Sequence, residues 1–321
     1  MSGKIAFILP GQGSQSLGMC NALRHDFGAV NARFEAAAEI LGYEIGSIIA
    51  DGPIEKLNQT ETTQPAMLIA SIATWDAWQE CGGPPPDYMA GHSFGEYSAL
   101  VCANAISFED AVFLAAERGR FMQEAVPADR SAVYAVLGLD EDVLSELCAQ
   151  AAQGQVVQCA NLNAPGQIVL TGDREAVERA CALAKDAGAK KIIPLAVSAP
   201  VHCDLMLSAA ARLAEHIKGI EIKMPGIPVI HNVDARSRDD VAGIREALID
   251  QMAAPVRWRD TIDYFLTRGV DSTVECGPGK VLSGLVKRTS KTIKTYTLLD
   301  REGIENVISD INLRNPNGVD A

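Results

Sequence analysis

The sequence predicts an α/β protein with a mostly parallel sheet, interrupted by a smaller inserted domain. Three observations carry this expectation. Short apolar runs that read as strands alternate with longer helical patterns, the order that covers a parallel sheet on both faces. Between residues 128 and 196 the order changes to β-α-β-β-α-β, a ferredoxin-like unit. A serine also stands between glycines at a strand-to-helix junction, in GHSFGEYSAL, the setting of a nucleophile elbow on an α/β-hydrolase-like sheet.

The elements follow in chain order. KIAFIL is a buried first strand that runs into the glycine loop PGQGSQ. Helical patterns follow at VNARFEAAAEIL and TQPAMLIASIATWDAWQEC, the second apolar over most of its surface and therefore buried. A short apolar run then leads to the elbow. Ser107 opens the next helix, SFEDAVFLAAERGRFMQEAV, with Asp110 completing an S-x-x-D cap. In the inserted unit SAVYAVLGL reads as a strand and DEDVLSELCAQAA as a helix behind Asp140. QVVQCANL and QIVLTG are two strands joined by NAPG, REAVERACALAKDAG is a helix, and KKIIPLAV is a last strand. PVIHNVDA and STVECGPG return to the large sheet, and the polar tail RNPNGVDA is expected to fray. The expected domains are 1–127 and 197–321 for the two parts of the large domain, and 128–196 for the insert.

With 321 residues, 48 % of them hydrophobic, the chain can bury a sizeable core. No apolar run reaches the roughly 18 residues that would span a bilayer. The eight cysteines show no C-x-x-C pair and no metal-ligand spacing, which argues for reduced core residues in a cytoplasmic protein and against a metal site. A net charge of −13 disfavours nucleic acid as a partner. Gly11, Gly13 and Gly18 follow a strand, but their spacing is not that of a dinucleotide-binding loop.

A serine hydroxyl needs a neighbouring base before it attacks a carbonyl. Of five histidines, His92 adjoins Ser93 and its side chain should point away from it. His25 and His216 lie in polar helical stretches, and His231 ends a strand, where it can donate to nearby backbone. His202, in SAPVHCDLM, lies where the chain re-enters the large domain, at the kind of junction where clefts form. It is the favoured base, and Cys203 beside it reads as packing. No acidic residue identifies itself as the third member of a triad. The residues alone thus give a serine–histidine acyl-transfer site, with a hydrolase and a non-catalytic binding module as open alternatives.

Four separated segments, FILPGQGSQ, GHSFGEYSAL, SAPVHCDLM, and QMAAPVRW with ECGPGKVLSGLVKR, together resemble the malonyl-CoA:acyl carrier protein transacylase family. The resemblance spans roughly residues 4 to 300, and polyketide synthase acyltransferase domains are related. It implies a large α/β domain with a ferredoxin-like insert and malonyl transfer by a ping-pong mechanism in fatty-acid biosynthesis. Malonyl-CoA would be the donor and the phosphopantetheine thiol of acyl carrier protein the acceptor, with no bound cofactor and no metal. Ser93 would be the nucleophile, His202 its base, and Gln251 would orient His202 through its backbone carbonyl. Gln12 and Phe94 would offer backbone N–H groups to the oxyanion. Arg118 would bind the malonyl carboxylate, and Asn163 would line the cleft. Arg120 lies roughly 200° further around the helix and should not share the site.

Three residues depart from the family pattern. Val133 and Tyr134 stand near the expected floor of the acyl pocket, and Val201 precedes the histidine where relatives carry Phe or Ser. Carrier proteins are acidic and so is this chain, so docking calls for a local basic patch. Lys287, Arg288 and Lys291, with Lys294 beyond them, form the densest basic stretch, and Lys190 with Lys191 a second.

Overall fold

KIAFIL is apolar at nearly every position because its strand, β1 (Lys4–Leu9), is buried along almost its whole length. In the computed structural model, which describes residues 3–127, 129–197 and 199–314, five helices follow it. They are α1 (Asn21–Asp26), α2 (Gly28–Leu41), α3 (Ile45–Asp51), α4 (Ile54–Leu57) and α5 (Thr60–Glu80). The last is buried almost all round, as its composition predicts, and Phe7 of β1 meets Trp75 and Trp78 edge-on at 5.4 and 5.1 Å. It starts three residues earlier than the sequence pattern suggests. Pro65 lies near its start, where few helical hydrogen bonds are lost, and the preceding turn is helical.

The chain continues through β2 (Tyr88–Gly91), α6 (Gly95–Cys102) and α7 (Phe108–Ala125). Ser107 caps α7 as expected, its Oγ accepting the Asp110 N–H at 3.0 Å. The next six elements are β3 (Ser131–Leu137), α8 (Glu141–Ala152), β4 (Val157–Ala164), β5 (Gln167–Asp173), α9 (Arg174–Asp186) and β6 (Lys191–Pro194). They form an antiparallel sheet of order β4-β5-β3-β6, the ferredoxin-like arrangement, with α8 and α9 packed on one face.

The rest of the chain is α10 (Leu207–Gly219), β7 (Val229–Ile230), α11 (Val241–Asp250), α12 (Trp258–Thr267), β8 (Val270–Glu275), α13 (Val281–Thr289), β9 (Lys294–Thr297) and α14 (Arg301–Arg314). The large sheet has the order β7-β2-β1-β8-β9, and every neighbouring pair is parallel. PVIHNVDA yields only two strand residues, because the His231 N–H turns back to the Arg236 carbonyl at 2.9 Å. β9 was not expected: KTYT is a four-residue edge strand inside a stretch whose charges dominate its pattern. The tail expected to fray lies, from residue 315 on, outside the described residues, as does residue 128 at the expected domain boundary. Among the described residues no helix is long and apolar enough to cross a membrane.

Loops at the carboxyl ends of adjacent strands β1 and β2 carry Gln12 and Ser93, the place where parallel sheets leave a crevice. The small sheet closes over it. Its β4 is tied to the segment after α11 by Leu162 N–H to Val256 C=O at 2.9 Å and Val256 N–H to Ala160 C=O at 2.8 Å.

Candidate active site

The elbow is forced by close approach. A Cβ on Gly91 would lie 1.8 Å from the Gly95 carbonyl carbon, and one on Gly95 would lie 2.2 Å from the Leu9 oxygen. Between them Ser93 adopts φ 52°, in the left-handed region that non-glycine residues rarely occupy. The turn is so tight that the hydroxyl stands clear of the sheet at the head of α6.

Ser93 Oγ lies 2.6 Å from His202 Nε2. On its other side, His202 Nδ1 lies 2.8 Å from the Gln251 carbonyl oxygen. A carbonyl can only accept, so Nδ1 carries the proton and Nε2 is left to accept the hydroxyl hydrogen. Burial and, secondarily, the nearby Arg118 guanidinium push the His202 pKa down to about 3, partly opposed by the Gln251 carbonyl. The imidazole is therefore neutral and ready to take a proton at neutral pH.

Around the elbow the N–H groups of Ser93, Gly95 and Glu96 are committed to Asn232 Oδ1, the His92 carbonyl and the Ser93 carbonyl, respectively. That leaves the Phe94 N–H at the head of α6, where the helix dipole favours negative charge. Gln12 lies on the same cleft wall, and its side-chain Nε2 donates to Thr60 Oγ1 at 3.4 Å.

Arg118 projects from α7 and is 1 % exposed. Its Nη1 donates to Gln64 Oε1 at 2.9 Å and its Nη2 to Gln251 Oε1 at 3.1 Å. The guanidinium also lies over the Phe94 and Tyr97 rings. Among the described residues it has no ion-paired carboxylate, a costly arrangement for a buried charge unless an anion arrives to complete it. Arg120 points elsewhere and pairs with Glu117 and Glu124. Gly119 allows the approach of α7 to α5, since a Cβ there would lie 2.6 Å from Glu61 Cα.

These groups border one cleft of about 210 Å³ between the two sheets. Val133 and Val201 line it, as does Asn163, whose Oδ1 is 2.7 Å from His92 Nε2. His92 is thereby turned from Ser93, edge-on to Trp258. Tyr134 does not reach the cleft. Strand alternation puts it on the opposite face of β3, against the α8 and α9 core.

His231 also departs from expectation. Its Nδ1 is 2.7 Å from Glu96 Oε1, with both side chains buried, because the first turn of α6 carries Glu96 over the end of β7. The sequence reading missed Gln64, Glu96 and Asn232. Only Glu96 left a signal, an acid immediately after the elbow in an otherwise apolar helix. Lys287 and Arg288 lie exposed in the last turn of α13, whose Val281, Leu282 and Leu285 line the cleft. Lys291 Nζ donates to the Lys287 carbonyl, and Lys294 is tied to Asp310. Among the described residues no group of three or more His, Cys, Asp or Glu is placed to hold a metal ion.

The acyl transferase domain family matches residues 6–307. The malonyl CoA-acyl carrier protein transacylase of Salmonella typhimurium is 48 % identical over 295 residues, covering 92 % of this chain and 96 % of that protein. The structure of the malonyl CoA-acyl carrier protein transacylase from Coxiella burnetii superposes with a TM-score of 0.95 at 46 % identity, over 97 % of this chain and 98 % of that one. A malonyl-transacylase in complex with its type II polyketide synthase acyl-carrier protein gives a TM-score of 0.94 at 46 % identity, over 96 % of this chain and 99 % of that one. With sequence, fold and cleft in agreement, the chain belongs to the acyl transferase domain family, among the malonyl CoA-acyl carrier protein transacylases.

Proposed function

We propose that this chain moves a malonyl group from malonyl-CoA to the phosphopantetheine thiol of an acyl carrier protein, by a ping-pong reaction in cytoplasmic fatty-acid biosynthesis. The observation that carries this reading is Arg118: a buried guanidinium with no ion-paired carboxylate among the described residues, beside a hydrogen-bonded serine–histidine pair. Malonyl differs from acetyl by the carboxylate that such a group grips. Membership of an acyltransferase family sets aside the hydrolase and the non-catalytic carrier-binding module.

Ser93 Oγ attacks the thioester carbonyl as His202 Nε2 takes its proton. The oxyanion rests on the N–H groups of Phe94 and Gln12, each such donor being worth about 3 kcal/mol at the transition state. Collapse breaks the C–S bond, and His202 returns the proton to the leaving CoA thiolate. The carrier thiol then attacks the malonyl-serine ester, giving its proton to His202, which passes it to Ser93 Oγ. Gln251 orients His202, and Asn163 fixes His92 in the cleft wall. No resident cofactor takes part in this scheme. The large domain would comprise residues 1–127 and 197–321, and the insert 128–196.

The test is intact-protein mass spectrometry after brief exposure to malonyl-CoA, followed by carrier protein. A malonyl adduct on the wild type, absent from Ser93→Ala and discharged by the carrier, is expected. Steady CoA release without an adduct passing to the carrier would refute the transfer.

Gly119→Ala should drive α7 from α5 and take Arg118 out of reach of Gln64. Overpacking of this kind costs about 1–3 kcal/mol, read as a lower Tm together with a raised KM for malonyl-CoA. For the carrier, we assign docking to Lys287, Arg288 and Lys291 at the cleft-lining helix. Reversing charge at Lys287 and Arg288 should raise the carrier KM about tenfold and leave malonyl-CoA kinetics alone. An unchanged carrier KM would remove this patch.

A further inference from the structure

Ser93 is held in a strained conformation by a residue that the reaction scheme does not use. Asn232 Oδ1 accepts the Ser93 N–H at 2.6 Å, and Asn232 Nδ2 donates to the Gly91 carbonyl at 2.7 Å. Because one partner can only donate and the other only accept, the orientation of this amide is unambiguous. It spans the two peptide groups that precede the nucleophile. The carbonyl on the far side of Ser93 accepts from Gln251 Nε2 at 3.0 Å. Both peptide planes flanking the serine are thus fixed by side chains from distant segments.

Asn232 is itself anchored. Its own N–H donates to Glu96 Oε2 at 2.8 Å, while Glu96 Oε1 meets His231 Nδ1 at 2.7 Å. All three side chains are at most 1 % exposed. Glu96 stands in the first turn of α6, where the helix dipole favours a carboxylate. The acid therefore fastens two consecutive residues beyond β7 to the helix that begins at the elbow.

We propose that Asn232, anchored by Glu96, is a positioning residue that holds Ser93 in the left-handed conformation in which Oγ reaches both His202 and the substrate carbonyl. It also takes up the Ser93 N–H, so that the oxyanion is left to Phe94 and Gln12. This rests on Ser93 being the nucleophile. Removing the clamp lets Oγ drift from its line of attack without touching Arg118, so acylation slows while substrate binding stays.

The experiment compares wild type, Asn232→Asp and Glu96→Gln. Asp keeps an acceptor for Ser93 and loses the donor to Gly91; Gln keeps the shape of Glu96 but cannot accept from both His231 and Asn232. Single-turnover malonylation of Ser93 is followed by quenched mass spectrometry, and inactivation by phenylmethylsulfonyl fluoride reports the nucleophile without needing Arg118. Malonyl-CoA affinity is measured by calorimetry with each substitution placed in a Ser93→Ala background. Misplacing a reacting atom by about 1 Å can cost about 100-fold, so Asn232→Asp should lose about that factor in both reactions. Glu96→Gln should lose about tenfold, with Kd within about twofold of the parent.

Wild-type acylation rates in folded Asn232→Asp or Glu96→Gln would overturn the proposal. So would a Kd that rises by the same factor as the rate falls, which would mean general collapse of the site. If Asn232→Asp fails to fold, Glu96→Gln alone decides between these outcomes. A wild-type enzyme that takes up malonyl elsewhere than Ser93 would instead refute the nucleophile assignment, and the clamp with it.

Discussion

Replacing His202 with alanine is expected to slow malonylation of Ser93 by on the order of 10⁴-fold or more, with malonyl-CoA affinity little changed. In the proposed scheme the imidazole takes the hydroxyl proton, and its side-chain hydrogen bonds go to Ser93 and the Gln251 carbonyl rather than to Arg118, so its removal should strike the transition state more than the ground state. The pH dependence is a sharper form of the same prediction. An ordinary histidine base would lose activity as pH falls through 6.5, whereas burial beside Arg118 puts the His202 pKa at about 3. Single-turnover acylation by the free enzyme should therefore hold steady through pH 6.5 and fall only at lower pH. Stability moves with the same group. Its folded pKa is depressed, so the unfolded chain binds more protons between these two values. The stabilisation present above pH 6.5 is lost progressively as pH falls towards 3. Chemical denaturation at several pH values checks this, and an acylation limb centred near 6.5 would contradict the buried neutral base.

Arg118→Ala is expected to invert the acyl preference. Truncating one side of a buried charge pair costs about 2–5 kcal/mol, so kcat/KM for malonyl-CoA should fall by a factor between about 30 and about 4,000. Acetyl-CoA has no carboxylate to lose, so its transfer should fall only by what a loosened Gln251 costs Ser93, far less than the malonyl loss. The empty enzyme gives up no ion pair among the described residues in this change, since the hydrogen bonds of Arg118 go to the neutral amides of Gln64 and Gln251 and to Met122 Sδ. Competition between the two thioesters, read by the mass of the serine adduct, measures the switch directly. Equal losses for both acyl groups would deny Arg118 its role in selection.

The legible parts of this protein were those encoded locally. Strand-like runs and helical faces declared both sheets, because burial on both faces leaves continuous apolar runs and burial on one face leaves a period. Ser93 was legible from its two glycines, since the turn tolerates no Cβ at either. His202 could be reached by elimination, and Arg118 and Gln251 only through resemblance, because nothing near them in sequence marks an arginine that points inward or a carbonyl that orients a ring. Asn232 and Gln64 were invisible for the same reason: each acts on a residue more than fifty positions away. Tyr134 was misplaced because a strand position was read without its facing direction, and β9 was missed because its charges outweighed a four-residue alternation.

Gln251 has a consequence for how such an enzyme can change. Its carbonyl sets the tautomer of His202, its amide nitrogen donates to the Ser93 carbonyl, and its amide oxygen takes a hydrogen bond from Arg118. Groups that share a partner do not vary independently. A lineage drifting towards another acyl group by altering position 118 would also loosen the side chain that steadies Ser93, so selectivity and turnover would be inherited as one trait. Pockets elsewhere can be retuned one residue at a time; here an adaptive path to a new substrate passes through paired changes at 118 and 251, with the single mutants as the valley between.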